Sequence, residues 1–358
     1  MANKNDDYAD FLNQAIRDMI CNDFPNHCCN ASRGYESSSY DYVIPKEINE
    51  ASEAELPDFH FPEEDDDDFG DIVPSDSEYI SNRDQINDLF GNQLLLNGKL
   101  TKMLIMHRLA LIDLFYGTNV NRMRQFGLSE IAEQLWQLSL DAQGNHTDAE
   151  LARKAIDFVA NTSANHQLQV DLFSKKYGYI IEENGITRKI AESLLSKYLF
   201  FLVDATANKM GFPIYDSIVK DLSDKIAQKL GIQKSLIKTG TMWQLCELLK
   251  AIVEELQKRD PALWNKQTAL RSKFALLDYF LWRIGKVGGF NFSLLITYSE
   301  LRKYSKTLRK IKALQNYKAK HKQYAKIATS KMVLELRNLH PRFLAWYIVY
   351  TKIQTKTY

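Results

Sequence analysis

A succession of segments with apolar residues at helical spacing constrains this fold more than any other feature of the chain. Apolar residues that recur every three to four positions form one face of an α-helix, and alternating strand patterns are scarce. The segments with the helical pattern are 84–90, 100–116, 127–138, 147–160, 187–203, 214–230, 241–258, 267–284 and 298–327. The spacing predicts an all-α fold, with Thr147 as the N-cap of one helix.

The first 83 residues differ in character from the rest. Residues 5–21 have the spacing of one amphipathic helix, whereas residues 26–80 hold four of the eight prolines and the acidic run 63–68. Such a composition buries too little apolar surface to order a chain. We therefore expect an acidic, largely disordered N-terminal region over 1–83, a helical domain over 84–300 and a basic helical C-terminal extension over 301–358.

Charge is strongly divided along the chain. Residues 1–100 contain 23 acidic and 6 basic residues, whereas the last 58 residues contain 15 basic residues and one acidic residue. A basic body favours an anionic partner, and duplex DNA is the usual one because neutralised phosphates release counterions. The acidic segment is predicted either to contact the basic body within the same chain or to act as a solubilising linker.

Several classes of protein are disfavoured by what the sequence lacks. It has no dinucleotide-binding glycine pattern, no Walker loop, no zinc-protease motif and no hydrolase elbow, and its histidines lack metal-ligand spacing. No metal site and no cofactor are expected. No apolar stretch is long enough to cross a membrane, and the four cysteines form no paired framework. These features predict a cytoplasmic or nucleoid-associated protein.

Three segments carry the residues with chemical potential, and they occur in a fixed order. The first is Leu114-Phe115-Tyr116-Gly117-Thr118-Asn119, where an apolar helix ends in a small polar tip. The second is Asn184-Gly185-Ile186-Thr187-Arg188-Lys189-Ile190-Ala191, which runs towards Ser196-Lys197-Tyr198. The third is Phe212-Pro213-Ile214-Tyr215-Asp216-Ser217-Ile218-Val219.

Over about residues 100–290 this order resembles the helix-hairpin-helix DNA glycosylases, the superfamily of endonuclease III and 8-oxoguanine DNA glycosylase. The family hairpin reads roughly L-P-G-V-G-R-K-T-A, which is similar to N-G-I-T-R-K-I-A in this chain. The family segment x-P-V-D-T-H-V is similar to F-P-I-Y-D-S-I-V, with one extra residue before the aspartate. The upstream tip L-L-S-A-Q-T resembles L-F-Y-G-T-N, and 276–286 resembles the closing helix. The resemblance implies a two-lobed helical domain with a helix-hairpin-helix motif that removes a modified or damaged base.

The resemblance implies that the hairpin residues Gly185, Thr187 and Arg188 bind a DNA phosphate. A hairpin between two helices exposes backbone N–H groups and a helix N-terminus, which bind phosphate without reading sequence. Thr187 departs from the family, which usually has a second glycine there. The alternative is an ordinary helix N-terminus with Thr187 as its cap.

Asp216 is the carboxylate that the resemblance makes catalytic. It would stabilise the sugar cation that develops as the base departs. Asp216 also lies just before a helical stretch, where capping alone explains an aspartate.

A lysine nucleophile is required if the enzyme also forms a Schiff base with the sugar. Lys189 fits the hairpin motif by local sequence, whereas Lys197 lies 19 residues before Asp216, a gap closer to that of the family. Both stay open, with a preference for Lys197, and a monofunctional enzyme stays possible. The resemblance further implies that Thr118 and Asn119 fill the gap that a flipped base leaves.

The C-terminal extension has the character of a DNA-binding helix. Its basic residues Lys303, Lys306, Arg309 and Lys310 alternate with tyrosines and suit a helix lying along a phosphate backbone. The sequence therefore favours a DNA glycosylase acting in repair or in defence against phages with modified DNA. The alternatives are a non-catalytic DNA-binding or interaction protein on a similar helical scaffold, and a helical protein that never touches DNA.

Overall fold

The computed structural model describes residues 4–23, 46–61, 86, 88–91, 100–116, 124–182, 185–233, 235, 239–265, 270, 272–292, 295–296 and 298–355. Helices dominate these residues, as the apolar spacing predicts. Within them the only sheet has two strands. The all-α prediction is therefore confirmed for the described part of the chain.

The helices follow one another along the chain with short connections. They are α1 (Lys4–Asp23), α2 (Lys46–Glu53), α3 (Lys102–Tyr116), α4 (Arg124–Leu138), α5 (Asp148–Ala160), α6 (Glu192–Asp204), α7 (Ser217–Lys229), α8 (Met242–Arg259), α9 (Pro261–Asn265), α10 (Lys273–Gly288), α11 (Tyr298–Lys303), α12 (Ser305–Lys320), α13 (Ala325–Leu339) and α14 (Pro341–Gln354). A π-helical turn spans Gln169–Phe173, and a 3₁₀ turn spans Lys322–Tyr324.

Two compact units divide the chain. The first unit comprises the described residues within 1–20 and 80–281, and the second comprises those within 21–79 and 282–358. The predicted boundaries at residues 83 and 300 differ from this division, because residues near the N-terminus belong to both units. Sequence composition could not reveal this, since it does not report which distant segments pack together.

Helix α6 lies in the core of the first unit. Each of its residues from Leu194 to Asp204 is buried, because its apolar side chains cover most of the helix surface instead of one stripe. Helix α1 packs in the same unit through Leu12, Ile16 and Met19. The amphipathic helix predicted over 5–21 is thus confirmed, and it is part of a folded core.

A β-hairpin precedes α6 and replaces part of a predicted helix. Strand β1 (Tyr177–Glu182) pairs antiparallel with β2 (Gly185–Lys189), with Ile181 opposite Ile186. Tyr177 anchors the hairpin, since its ring is buried and its hydroxyl donates to the carbonyl of Leu172 at 3.2 Å. The helix predicted over 187–203 therefore begins only at Glu192. The prediction of a helix-hairpin-helix at 184–191 is wrong for the described residues, because 185–189 form a strand.

Helices α12 and α13 form an antiparallel pair in the second unit. Ile311, Leu314 and Tyr317 of α12 are buried on the side of this pair. The chain reverses at His321 and the 3₁₀ turn that follows it, so the single helix predicted over 298–327 is broken into α11, α12 and the start of α13. Burial of the apolar face against α13 requires this reversal.

Residues 46–61 pack on the same helix pair. The Tyr317 hydroxyl donates to the carbonyl of Pro57 at 2.7 Å, and the Lys331 amine donates to the carbonyl of Ser52 at 2.8 Å. The ring of Phe59 meets that of Tyr317 edge-on at 5.2 Å. The prediction of disorder across 1–83 is therefore wrong for 4–23 and 46–61. The acidic run 63–68 lies outside the described residues.

Two cysteines belong to the described residues. Cys21 is disulfide-bonded, and Cys246 is a buried thiol whose pKa is raised to about 12 by burial. The cysteine pattern therefore does not support the predicted reducing compartment. Among the helices that the structure describes, none combines the length and the apolarity that a membrane crossing needs.

Candidate active site

The loop between α6 and α7 carries Asp216 and is fixed along its length. The Asn208 side chain accepts hydrogen bonds from the backbone N–H groups of Met210 and Gly211, both at 3.0 Å. The carbonyl of Met210 accepts from the N–H of Phe274 at 3.0 Å. Residues 211–215 are all buried. A loop held this way presents its last residue in one position.

Gly211 is required by this loop. Its φ of +79° lies in the left-handed region that side chains disfavour, and a Cβ placed there would lie 2.2 Å from Ser272 Oγ. The loop therefore passes Ser272 more closely than any larger residue permits.

Asp216 forms the N-cap of α7. Its backbone is extended, and its Oδ1 accepts a hydrogen bond from the N–H of Ile218 at 2.8 Å. Among the described residues, its other oxygen, Oδ2, accepts no hydrogen bond. The carboxylate is half-buried, so one oxygen holds the helix and the other remains available to a ligand.

Lys197 lies on α6 and is only 5% exposed. Its Nζ donates to the hydroxyl of Ser193, one turn earlier, at 2.7 Å. Lys189, the other candidate nucleophile, lies on the exposed strand β2, opposite Tyr177. The two lysines are therefore not on one continuous helix, and they occupy different environments.

One hydrogen bond joins the segments that carry Asp216 and Lys197. The backbone N–H of Tyr215 donates to Ser196 Oγ at 2.9 Å. Each predicted catalytic residue is the direct chain neighbour of one partner in this bond. The structure thus brings Asp216 and Lys197 into the same neighbourhood, across a sequence gap of 19 residues.

A polar network surrounds the Tyr215 ring. Its hydroxyl lies 3.1 Å from the carbonyl oxygens of Thr239 and Gly240 and accepts from the Lys220 amine at 2.8 Å. A hydrogen bond also links it to the Glu192 carboxyl. Desolvation raises the pKa of Glu192 although this bond and Lys220 act to lower it, and burial likewise raises the pKa of Tyr215.

The predicted phosphate-binding residues Gly185, Thr187 and Arg188 are exposed on β2. Arg188 forms an ion pair with Glu130, and its Nε donates to the carbonyl of Gly178 at 3.1 Å. A strand commits its backbone groups to the ladder and lacks a helix N-terminus. The proposed phosphate cradle therefore does not form at 185–189. Thr118 and Asn119 lie outside the described residues.

The predicted basic DNA-binding residues belong to the second unit. Lys303 ends α11, and Lys306, Arg309 and Lys310 lie on the first turns of α12. The first three are exposed, whereas Lys310 is half-buried with its amine 5.2 Å from the centre of the Phe61 ring.

Sequence reasoning missed the residues that connect the site, namely Ser193, Ser196, Tyr215 and Glu192. A signal was present in α6, where two serines and a lysine interrupt an otherwise apolar run. Buried polar side chains require partners, so their partners in another segment could have been sought.

Metal chemistry receives no support at this site. Within the described residues, no three His, Cys, Asp or Glu side chains come together in a group that could hold a metal ion. No protein-family model matches the chain, and neither does any curated protein or any solved structure. Function must therefore be argued from the site itself.

Proposed function

We propose that this protein is a DNA glycosylase that flips out a modified or damaged base and cleaves its N-glycosidic bond. The observation that carries the proposal is the hydrogen bond from Tyr215 to Ser196, which sets the Asp216 segment against the buried Lys197 segment. A half-buried carboxylate beside a buried amine is the pair that glycosidic cleavage through a covalent intermediate requires. The family resemblance in order and spacing supports the same pair.

Asp216 acts on the charge that develops at the sugar. As the bond from C1′ to the base nitrogen breaks, the base leaves with the electron pair and C1′ becomes electron-poor. The Oδ2 atom of Asp216 stabilises this cation while Oδ1 keeps the helix cap. A fixed carboxylate needs no reorganisation during the reaction, which is the source of its advantage over water.

Lys197 is the nucleophile in the bifunctional form of the reaction. Its neutral amine bonds to C1′ as the base departs, gives up a proton to solvent, and forms an iminium once the sugar ring opens. Lys197 is favoured over Lys189 because it neighbours the bond that joins the two segments, whereas Lys189 lies on an exposed strand.

DNA binding is assigned to the basic helices of the second unit. Lys303, Lys306 and Arg309 are exposed near the start of α12 and present charge for phosphate contacts. This role replaces the phosphate-binding hairpin, because Arg188 is already paired with Glu130. Base flipping is required because the C1′ atom is inaccessible inside a duplex, and Thr118 and Asn119 stay the candidates that fill the gap.

The acidic N-terminal segment is proposed to contact this basic surface within the chain. Phe61 lies beneath Lys310, and the acidic run begins two residues later, so chain connectivity starts that run beside α12. Replacing the six acidic residues of 63–68 by their amides is expected to tighten duplex binding at low salt. Unchanged affinity would show that the run does not shield α12.

The deciding experiment is incubation of the full-length protein with a panel of modified duplexes, followed by mass analysis of released bases. Asp216→Asn is expected to abolish release while duplex binding is retained, because the amide keeps the cap but loses the charge. Asp221→Asn on the same helix is the matched control and is expected to release bases normally. No release by the wild type, or equal release by Asp216→Asn, would contradict the proposal.

A non-catalytic DNA-binding protein is the second candidate. The observation that favours it is the cap bond from Asp216 to Ile218, which explains the aspartate without chemistry. In that case duplex binding weakens with salt while no variant or wild type releases a base. Absence of duplex binding at low salt would instead favour a helical protein that never touches DNA.

A further inference from the structure

Ser196 is a buried hydroxyl whose hydrogen-bonding capacity is used in two directions. It is 0% exposed, its hydroxyl donates to the carbonyl of Ser193 at 3.1 Å, and its oxygen accepts from the Tyr215 N–H at 2.9 Å. Tyr215 itself is buried, so its N–H would lose its partner without Ser196. An unpaired buried amide is costly, which makes this bond a strong restraint on the loop.

Tyr215 is held at its other end as well. Its hydroxyl is bonded to Glu192, which lies on α6 one turn before Ser196 and on the same face. The Lys220 amine reaches the same hydroxyl from α7 at 2.8 Å. One face of α6 thus grips Tyr215 at the backbone through Ser196 and at the ring through Glu192.

Asp216 follows this fixed residue directly. On one side its backbone is set by Tyr215, and on the other side its own cap bond with Ile218 ties it to α7. Its carboxylate has little freedom to move relative to Lys197, which follows Ser196 on α6. The two reacting groups are therefore referred to one frame through a single bond.

We propose that Ser196 and Tyr215 are positioning residues that set the Asp216 carboxylate opposite the Lys197 amine. The proposal rests on the glycosylase function and adds the residues that determine its geometry. Neither side chain needs to touch DNA. Loss of the Ser196 hydroxyl releases the Tyr215 N–H and lets the Asp216 segment shift, and a displacement of about 1 Å costs up to about 100-fold in rate.

The test compares Ser196→Ala with Ser196→Thr, which keeps the hydroxyl, and with Ser223→Ala as a matched control. Ser223 is also a 0% exposed serine, and within the described residues its hydroxyl has no hydrogen-bond partner. Single-turnover base release gives kcat and KM for each variant, and amide hydrogen exchange reports the Tyr215 N–H. Tyr215→Phe, which keeps the backbone bond and removes the hydroxyl, is measured in parallel.

We expect Ser196→Ala to lower kcat by about 10- to 100-fold with KM unchanged and with faster exchange at Tyr215. Ser196→Thr is expected to restore both, Ser223→Ala to behave as wild type, and Tyr215→Phe to lower kcat without faster exchange at the backbone. Wild-type kcat in Ser196→Ala with faster exchange would overturn the positioning role and leave the glycosylase function intact. If Ser196→Ala does not fold, wild-type kcat in Tyr215→Phe overturns it. If the wild type releases no base, the proposed function fails and the positioning role falls with it, whereas the exchange data still report the bond.

Discussion

Arg108 is fully buried and makes a two-pronged ion pair with Asp148, at 2.7 and 2.9 Å. Burial acts to lower the pKa of the guanidinium, but the hydrogen bond and charge of Asp148, together with the Tyr198 hydroxyl, outweigh it and the pKa is raised. The pair ties α3 to the first turn of α5, and Tyr198 adds α6. Since α6 carries Lys197, this pair supports the core beneath the candidate site.

Replacing Arg108 by Met is expected to destabilise the protein by about 3–5 kcal/mol, because Asp148 is left as a buried charge without its partner. Urea denaturation followed by circular dichroism measures the loss. The double variant Arg108→Met with Asp148→Asn removes the stranded charge and is expected to recover part of the stability. A double variant less stable than Arg108→Met would show that the charge is not the cause.

Gly211→Ala is expected to destabilise more than Gly144→Ala, although both glycines have nearly the same left-handed φ, +79° and +81°. Both variants bear the cost of about 1–2 kcal/mol for a side chain in this region. Only at position 211 does the added Cβ meet another atom, Ser272 Oγ at 2.2 Å, whereas Gly144 faces open space. We expect a further loss of about 1–3 kcal/mol from this crowding, measured by thermal denaturation. Equal losses would mean that the loop yields at Ser272.

Borohydride trapping on a cleavable duplex is expected to link the DNA to Lys197. Peptide mapping of the wild-type adduct identifies the lysine without any variant. Lys197→Met is expected to form no adduct, whereas Lys189→Met, on the exposed strand β2, is expected to form as much as the wild type. An adduct on Lys189 would contradict the assignment, and base release without any adduct would make the enzyme monofunctional.

Duplex binding is expected to depend on salt through the exposed basic residues of α12. The double variant Lys306→Gln with Arg309→Gln removes two phosphate contacts and is expected to reduce the slope of log affinity against log salt by about 2. The weakening should be similar for duplexes of any sequence, since phosphates carry no sequence information. The exposed Lys46→Gln in α2 serves as the control, and an unchanged slope in the double variant would exclude α12 from the interface.

Glu192→Gln is expected to become more stable than the wild type as pH rises. The raised pKa of Glu192 means that the folded state favours the neutral carboxyl, so ionisation costs stability as pH rises through that pKa. Gln keeps an acceptor for Tyr215 and does not titrate. Urea denaturation from about pH 4 to about pH 8 should therefore show a growing difference that levels off. The exposed Glu254→Gln on α8 should show none, and a constant difference for Glu192→Gln would contradict the explanation.

Local rules in the sequence predicted much of the helical structure. Apolar spacing predicted α3, α5 and α8 to within a few residues, because that pattern depends only on near neighbours along the chain. Thr147 caps α5 by accepting from the N–H of Glu150 at 3.1 Å, as its position before the helix indicates. Asp216 caps α7 in the same way, which is one of the two roles that the sequence left open.

The sequence was misleading at 185–189. An Asn-Gly step before a helical pattern resembles the turn between two helices, yet these residues pair with 177–182. The difference is decided by Tyr177, which buries its ring and fixes β1 before β2 can add to it. Nothing in the local pattern of β2, which is exposed throughout, reports that a partner strand is in place.

By itself the sequence determined the helical class, most helix positions, two N-caps and the division of charge, because each follows from neighbouring residues or from composition. Only the tertiary structure decided that Arg108 meets Asp148 across 40 residues and that Ser196 meets Tyr215 across 19. Such contacts depend on how whole helices pack, and a buried polar side chain finds its partner only after that packing is set. For the same reason the separation of Lys189 from Lys197, and the proximity of Lys197 to Asp216, became visible only in the folded chain.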